Sequence, residues 1–159
     1  MSTLVLELRQ GEVMVVNGAP IRFRTKTRIE LTAKARFLFG KQIMPPDQVD
    51  SPARRIYFAF QTAYIGSDEE RPNGLIAARS LIAEFKESTT SALAREILDR
   101  ALAAAEDDNC YQALKLTRRI IRHEDAVLGR SELPATANSW EAVPRHDDAD
   151  AVEVAGLRR

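Results

Sequence analysis

"EVMVVNGAPIRFRTKTRIEL", residues 12–31, decides the fold of the first third of the chain. Asn17-Gly18 stands between two apolar runs. A type I′ turn needs positive φ at both central residues, which Asn and Gly adopt at least cost, so the stretch reads as a β-hairpin. Upstream, "LVLEL" at 4–8 ends at Arg9-Gln10-Gly11, where glycine supplies a turn. Downstream, "RIELTAKARFLFG" continues with β-branched and aromatic residues. Four or five short antiparallel strands are predicted for residues 1–44.

Inside this stretch a cation occupies every second position: Arg22, Arg24, Lys26 and Arg28. Successive side chains on a strand point to opposite faces. In one unbroken strand the four cations would share a wet face, spaced about 7 Å apart, while Ile21, Phe23 and Ile29 fill the interior. Such a face meets several phosphates together, with an affinity that falls steeply with salt. An ordinary reading competes with this one. A half-buried sheet needs a polar outer face, edge strands are protected by Lys and Arg, and a turn near 25–27 would break the row.

Charge along the chain points to a polyanion partner for this region, or to an acidic tail that shields it. The 159 residues carry no formal net charge. Residues 1–44 nevertheless hold eight Lys or Arg against three Asp or Glu, a net +5. Residues 45–130 hold twelve against fourteen, a net −2, and residues 131–159 three against six, a net −3. Arg9, Lys34, Arg36 and Lys41 complete the cations of the basic lobe, all candidates for phosphate contact. Neither a nucleic-acid-binding GXXG loop nor an aromatic RNP signature is present.

After residue 44 the apolar period changes from two to 3.6. Ser51-Pro52 is a cap followed by proline at the first helical position, and Ala53, Ile56, Tyr57, Phe60, Ala63 and Tyr64 follow on one stripe, with Gly66 as the stop. "RPNG" at 71–74 reads as a break before a second helix from about Leu75 to Phe85, carrying Ala78, Ile82 and Phe85 on one face. A third helix is expected to bury Leu93, Ile97, Leu98, Ala101 and Leu102. A fourth opens with Asn109 and Gln112 at capping-box spacing. It is expected to bury Ala113, Leu116 or Thr117, Ile120, Val127 and Leu128, and to close at Gly129. Short connections favour antiparallel packing. The predicted class is α+β: a basic sheet lobe over 1–44, about four antiparallel helices over 45–130, and an acidic disordered tail over 131–159 containing the only tryptophan, Trp140.

Composition and motifs exclude more than they suggest. Apolar residues make up 45% and charged residues 29%, as in soluble globular proteins. No apolar run reaches the roughly 18 residues of a membrane span, no secretory signal is legible, and Cys110 is alone, so a reducing cytoplasm is expected. His123-Glu124-Asp125 lacks the second histidine of HExxH, since position 127 is Val. His123 is read as an outer-face residue. The helical carboxylates alternate with bases like solvated faces. No catalytic residue, metal site or cofactor is expected.

"LVLELRQGEVMVVNGAPIRF", "IMPPDQVDSPARRIYFAFQTAYIG" and "CYQALKLTRRIIRHEDAVLG", in this order and spacing, resemble the FlbT family of flagellar regulators over roughly residues 3–129. The resemblance implies a post-transcriptional regulator that associates with the 5′ untranslated leader of flagellin mRNA, lowers its translation and lifetime, and works beside a small FlaF-type protein. The strand, Arg9-x-Gly11-Glu12, "VMVV" and turn also look like the opening of CsrA-type RNA regulators. Two roles are thus open. In one, the sheet lobe binds RNA and the helices recruit a FlaF-like protein or a second copy of the chain. In the other, the protein is an interaction module or chaperone-like adaptor in flagellar assembly that acts through FlaF or flagellin and touches no RNA. Its partner face would then be built from Arg54, Arg55, Phe58 and Ile65, because the last two fall off the main apolar stripe.

Overall fold

The computed structural model of the chain describes residues 3–129. These form two compact units, residues 3–43 and residues 44–129. The predicted acidic tail, with Trp140, lies outside the described residues.

The first unit holds five short antiparallel strands: β1 (Leu4–Leu8), β2 (Val13–Val16), β3 (Ala19–Arg22), β4 (Thr27–Leu31) and β5 (Phe37–Phe39). They divide into two sheets, a β1-β4 pair and a three-stranded β3-β2-β5 sheet. The hairpin turn is where the sequence places it, with Asn17 at φ 48° and Gly18 at φ 87°. Asn17 also ties β5 to the hairpin. Its backbone N–H donates to the Arg36 carbonyl at 2.8 Å, and its Oδ1 accepts the Arg36 N–H at 3.0 Å. Leu6, Leu8, Met14, Phe37 and Leu38 are buried.

The stretch 20–31 is not one strand, which corrects the single-row expectation. Arg22 ends β3 in one sheet and Arg28 lies on β4 in the other. Phe23 still pairs with the end of the first loop: its N–H donates to the Glu12 carbonyl (2.9 Å), and its carbonyl accepts from Gly11 (2.7 Å). The chain then bends, and the Thr27 hydroxyl closes the bend on the Thr25 carbonyl at 2.8 Å. Threonine offers the backbone this local alternative to a ladder. Ile21 is 42% exposed, against expectation, because β3 pairs only with β2 and forms the sheet edge. Pro20 on that edge removes a donor that a foreign strand would need.

The second unit is a ring of four helices: α1 (Pro52–Ile65), α2 (Glu70–Ser88), α3 (Ala92–Glu106) and α4 (Cys110–Leu128). Paired residues show that α1 runs antiparallel to both of its neighbours, and α2 to α3. Ala53 meets Glu124 and Tyr64 meets Tyr111 across α1 and α4. The Arg71 side chain of α2 reaches the Ala63 carbonyl of α1 at 3.2 Å, and Gly74, further along α2, lies against Ala59 and Ala63. Ion pairs join Arg79 to Glu106 and Lys86 to Asp99 across α2 and α3. Side-chain caps open α1, α3 and α4, each at the residue before the helix: Ser51 accepts from Arg54 (3.3 Å), Ser91 from Ala94 (3.0 Å) and Asn109 from Gln112 (3.3 Å). Gly129, at φ 73°, ends α4 in the left-handed conformation.

Two helical expectations are corrected. "RPNG" does not break the chain: α2 runs through it. Ser67 and Glu70 form a reciprocal capping box, with Glu70 N–H to Ser67 Oγ at 3.2 Å and Ser67 N–H to Glu70 Oε1 at 3.0 Å. Pro72 then falls in the first turn of α2, where a missing N–H costs nothing. The other correction concerns helix ends. Leu93, Val127 and Leu128 are 61%, 71% and 56% exposed. Ala94 and Ala105 join Ile97, Leu98 and Ala101 on the buried stripe of α3, and the last buried residue of α4 is Asp125. Since Ala53, in the first turn of α1, already meets Glu124, the final turn of α4 outruns the helix beside it.

Candidate nucleic-acid interface

Seven of the eight cations of the sheet unit are exposed: Arg9, Arg22, Arg24, Lys26, Arg28, Lys34 and Lys41. Arg36 is half-buried, its backbone fastened to Asn17. They do not form one row. On the outer face of the β1-β4 pair, Arg28 stands opposite Glu7, with Nε 3.8 Å from Oε1, and Glu30 stands opposite Val5. An exposed pair of this kind adds little stability, but it makes the face mixed in sign.

Arg9, Arg22, Arg24 and Lys26 form a different group. One register step beyond Leu8↔Thr27, Arg9 and Lys26 leave the β1-β4 ladder together. Arg22 and Arg24 flank Phe23, whose backbone is bonded to the loop that begins at Arg9. The β1–β2 and β3–β4 connections are therefore knitted at one corner. None of these four side chains makes an ion pair among the described residues. The carboxylate of the β1–β2 loop itself, Glu12, is turned onto the backbone: Oε1 accepts the Arg9 N–H at 2.6 Å, and Oε2 lies 2.7 Å from where a β-carbon on Gly40 would sit.

The helical candidates separate just as clearly. In α1 only Pro52, Arg55, Phe58 and Thr62 escape burial. Arg55 is exposed and Phe58 half-buried, at the i, i+3 spacing of one face. Arg54 and Ile65 are both 6% exposed, so neither contributes to an outer face. Arg54 instead grips Asp125 with two hydrogen bonds, Nη1–Oδ1 at 2.8 Å and Nη2–Oδ2 at 3.0 Å. That bond, reinforced by the charges of Asp125, Asp50 and Glu124, raises the guanidinium pKa against the desolvation that opposes it. Glu124 Oε2 caps the start of α1 by accepting the Ala53 N–H at 3.0 Å. Nearby, the Arg118 guanidinium lies 5.8 Å from the Tyr57 ring centroid, a cation–π contact. Burial lowers the pKa of Arg118 and raises that of the Tyr57 hydroxyl, while each charge partly offsets the shift of the other.

Sequence reasoning missed this buried polar cluster, taking its charges for a solvated face. The legible signal was that Thr117 and Ile121 flank Arg118 and Asp125 on the apolar stripe of α4. His123 is exposed and Cys110 buried. Among the described residues, no three His, Cys, Asp or Glu side chains converge as metal ligands, and no helix is long and apolar enough to cross a membrane.

The family profile described as "Flagellar protein FlbT" matches residues 4–128. A protein of Mesorhizobium japonicum named "Probable flagellum biosynthesis repressor protein FlbT" is 31% identical over 134 residues, 82% of this chain and 88% of the relative. Proteins of the same name from Rhizobium johnstonii and Agrobacterium fabrum are 30% and 28% identical, each over 85% of this chain and 90% and 91% of their own. No solved structure matches. The resemblance legible in three separated stretches of the sequence thus holds over both units: the chain belongs to the FlbT family of flagellar proteins.

Proposed function

We propose that this chain represses flagellum synthesis after transcription, by binding the 5′ untranslated leader of flagellin mRNA through its sheet unit and lowering the translation and lifetime of the message. The repressor name carried by the relatives supports the direction of control. The observation that carries the RNA contact is the concentration of seven exposed cations on a unit with only three carboxylates, one of them turned onto the backbone. Phosphate contacts of this kind give affinity and position, and sequence preference comes from elsewhere in the interface. The reading is regulatory and not enzymatic. The setting is the cytoplasm, where leader and ribosome meet.

The test pairs a binding measurement with a reporter. Purified protein is titrated against labelled flagellin leader, and the leader is fused to a translational reporter in cells with and without the gene. Tight, salt-sensitive binding and a reporter that rises on deletion are expected. A reporter that responds while the purified protein ignores the leader at low salt would overturn direct RNA contact.

One observation favours a companion role for the helical unit. Arg55 and Phe58 share one face among the four residues of α1 that escape burial, and aromatic and Arg side chains are favoured interface anchors. We assign this stripe to a FlaF-like protein or a second copy of the chain. A folded Phe58→Asp variant should lose that partner in co-purification, and retention of every partner would refute the assignment.

A further inference from the structure

We infer that the phosphate-binding element of the sheet unit is a corner, built where the β1–β2 and β3–β4 connections meet, with Arg9, Arg22, Arg24 and Lys26 as its cations and the backbone of single-stranded RNA as its ligand. The inference rests on the RNA reading above and sharpens it. Of the eight basic residues named from the sequence, it selects four, and it excludes Arg28.

Three observations converge on the corner. The first is connectivity. Gly11 donates to the Phe23 carbonyl and Phe23 to the Glu12 carbonyl, so two loops distant in sequence are held side by side by backbone bonds that need no particular side chain. Gly11 has φ +87°, a conformation that L side chains rarely adopt, and a β-carbon there would meet nothing within 4 Å. Glycine is thus required by the loop's shape and not by crowding.

The second is charge. All four cations are exposed, and none makes an ion pair among the described residues. Glu12 is held by the Arg9 N–H and sits beside Gly40, so its carboxylate fixes the loop from within. Arg28, by contrast, shares its face with Glu7 and Glu30. An anion approaching that face meets two carboxylates for one guanidinium. At the corner it meets four cations.

The third is the shape of the ligand that fits. The cations come from a strand end, a loop start and a bend, so they arise from two connections and not from one straight strand. A flexible single strand can bring its phosphates to cations that arise from two connections at small elastic cost, whereas a duplex presents its phosphates along fixed grooves. With four contacts at about 0.7 per phosphate for single strands, the corner accounts for a slope near −2.8 in log K against log salt.

The test is fluorescence anisotropy with a labelled 20-nucleotide single-stranded RNA from a flagellin leader, titrated with full-length protein between 50 and 200 mM salt. Wild type should lose about 50-fold in affinity across that range from the corner alone. The variant carrying Arg9→Gln, Arg22→Gln, Arg24→Gln and Lys26→Gln should flatten the slope by roughly 2–3, and Arg28→Gln should leave it unchanged. Arg24→Gln and Lys26→Gln, whose side chains make no hydrogen bond among the described residues, should each flatten it by about 0.7, and they keep the test valid if the fourfold variant is unstable. A fourfold or single-site set that keeps the wild-type slope, or an Arg28→Gln that removes as much as Arg24→Gln, overturns the corner while RNA binding stands. Wild type that fails to bind the RNA at 50 mM salt overturns the RNA reading itself.

Discussion

Arg54 and Asp125, 71 positions apart in the sequence, are joined by two parallel hydrogen bonds between α1 and α4, and both are at least nine-tenths buried. Their bond fixes the antiparallel register of the two helices at one end of the bundle. Tyr64 against Tyr111, with ring centroids 6.0 Å apart, fixes it toward the other. Breaking a buried ion pair by removing one partner leaves an uncompensated charge indoors, which costs about 3–5 kcal/mol. Arg54→Ala and Asp125→Ala should each destabilise the helical unit by that amount in urea denaturation followed by circular dichroism. Replacing both residues with apolar side chains of similar volume should cost far less than either single change. A double variant that loses the sum of the two single losses would show that the pair does not act as a unit.

Gly74 makes the matching prediction for α1 and α2. A β-carbon there would lie 2.6 Å from the Ala63 backbone nitrogen and 2.8 Å from the Ala59 carbonyl oxygen. Alanine in mid-helix is ordinarily worth about 1 kcal/mol over glycine. Here the contact is with backbone, which cannot swing aside, and overpacking of this kind costs about 1–3 kcal/mol. Gly74→Ala should therefore destabilise despite its better helix propensity, and Gly74→Val more so. A stabilised Gly74→Ala, read by the same denaturation midpoint, would mean that the two helices can separate without loss.

Gly74 also shows why parts of the fold were legible in the sequence and others were not. Asn17-Gly18, Ser51-Pro52, Asn109 with Gln112, and Gly129 obey local rules, because turn dihedrals and orphan helix-end groups are satisfied within a few residues. Whether a glycine breaks a helix or admits a neighbour depends on the neighbour, and nothing near Gly74 in sequence names Ala59 and Ala63. Leu93 and Val127 continue a correct period past the point where another helix covers them. The alternating cations failed in the same manner. Period two reports a shared face only while the strand continues, and β3 ends at Arg22, before the bend that the Thr27 hydroxyl closes on the Thr25 carbonyl. The eight cations themselves were all visible, but the selection among them came from strand pairing that brings residues 9–12 beside residue 23.

Asn17 should be harder to replace than a turn residue alone. It holds φ 48°, which glycine tolerates freely and alanine does not, and its side chain accepts the Arg36 N–H at 3.0 Å. Asn17→Gly keeps the turn and loses the acceptor, a cost of about 0.5–1.5 kcal/mol. Asn17→Ala loses the acceptor and adds left-handed strain of about 1–2 kcal/mol. The stability order Asn, Gly, Ala is expected for the sheet unit. Hydrogen exchange at the Arg36 amide supplies the site-specific check, rising in both variants. Equal stability of the alanine and glycine forms would show that the dihedral is relieved elsewhere.

Glu70 carries a pH dependence whose sign follows from its partners. The Ser67 backbone N–H, and secondarily the Ser67 hydroxyl, hold its carboxyl below the ordinary value of 4.5, with desolvation a smaller opposing effect. A carboxyl whose folded pKa is depressed stabilises the fold above its unfolded pKa, and that contribution disappears as the pH falls through the lower folded value. The first turn of α2 should therefore keep its capping box at neutral pH and through the ordinary titration of glutamate, then fray in stronger acid. Ser67→Ala removes the hydroxyl and leaves the backbone donor, so the Glu70 titration should move part of the way back up. Glu70→Gln keeps an acceptor and abolishes the pH dependence of this turn. Side-chain carbon NMR of Glu70 across an acid titration, with amide exchange at residues 70–72 as a second reading, decides the matter. The box is refuted if Glu70 titrates at its ordinary value in the wild type, or if Ser67→Ala leaves its midpoint where it was.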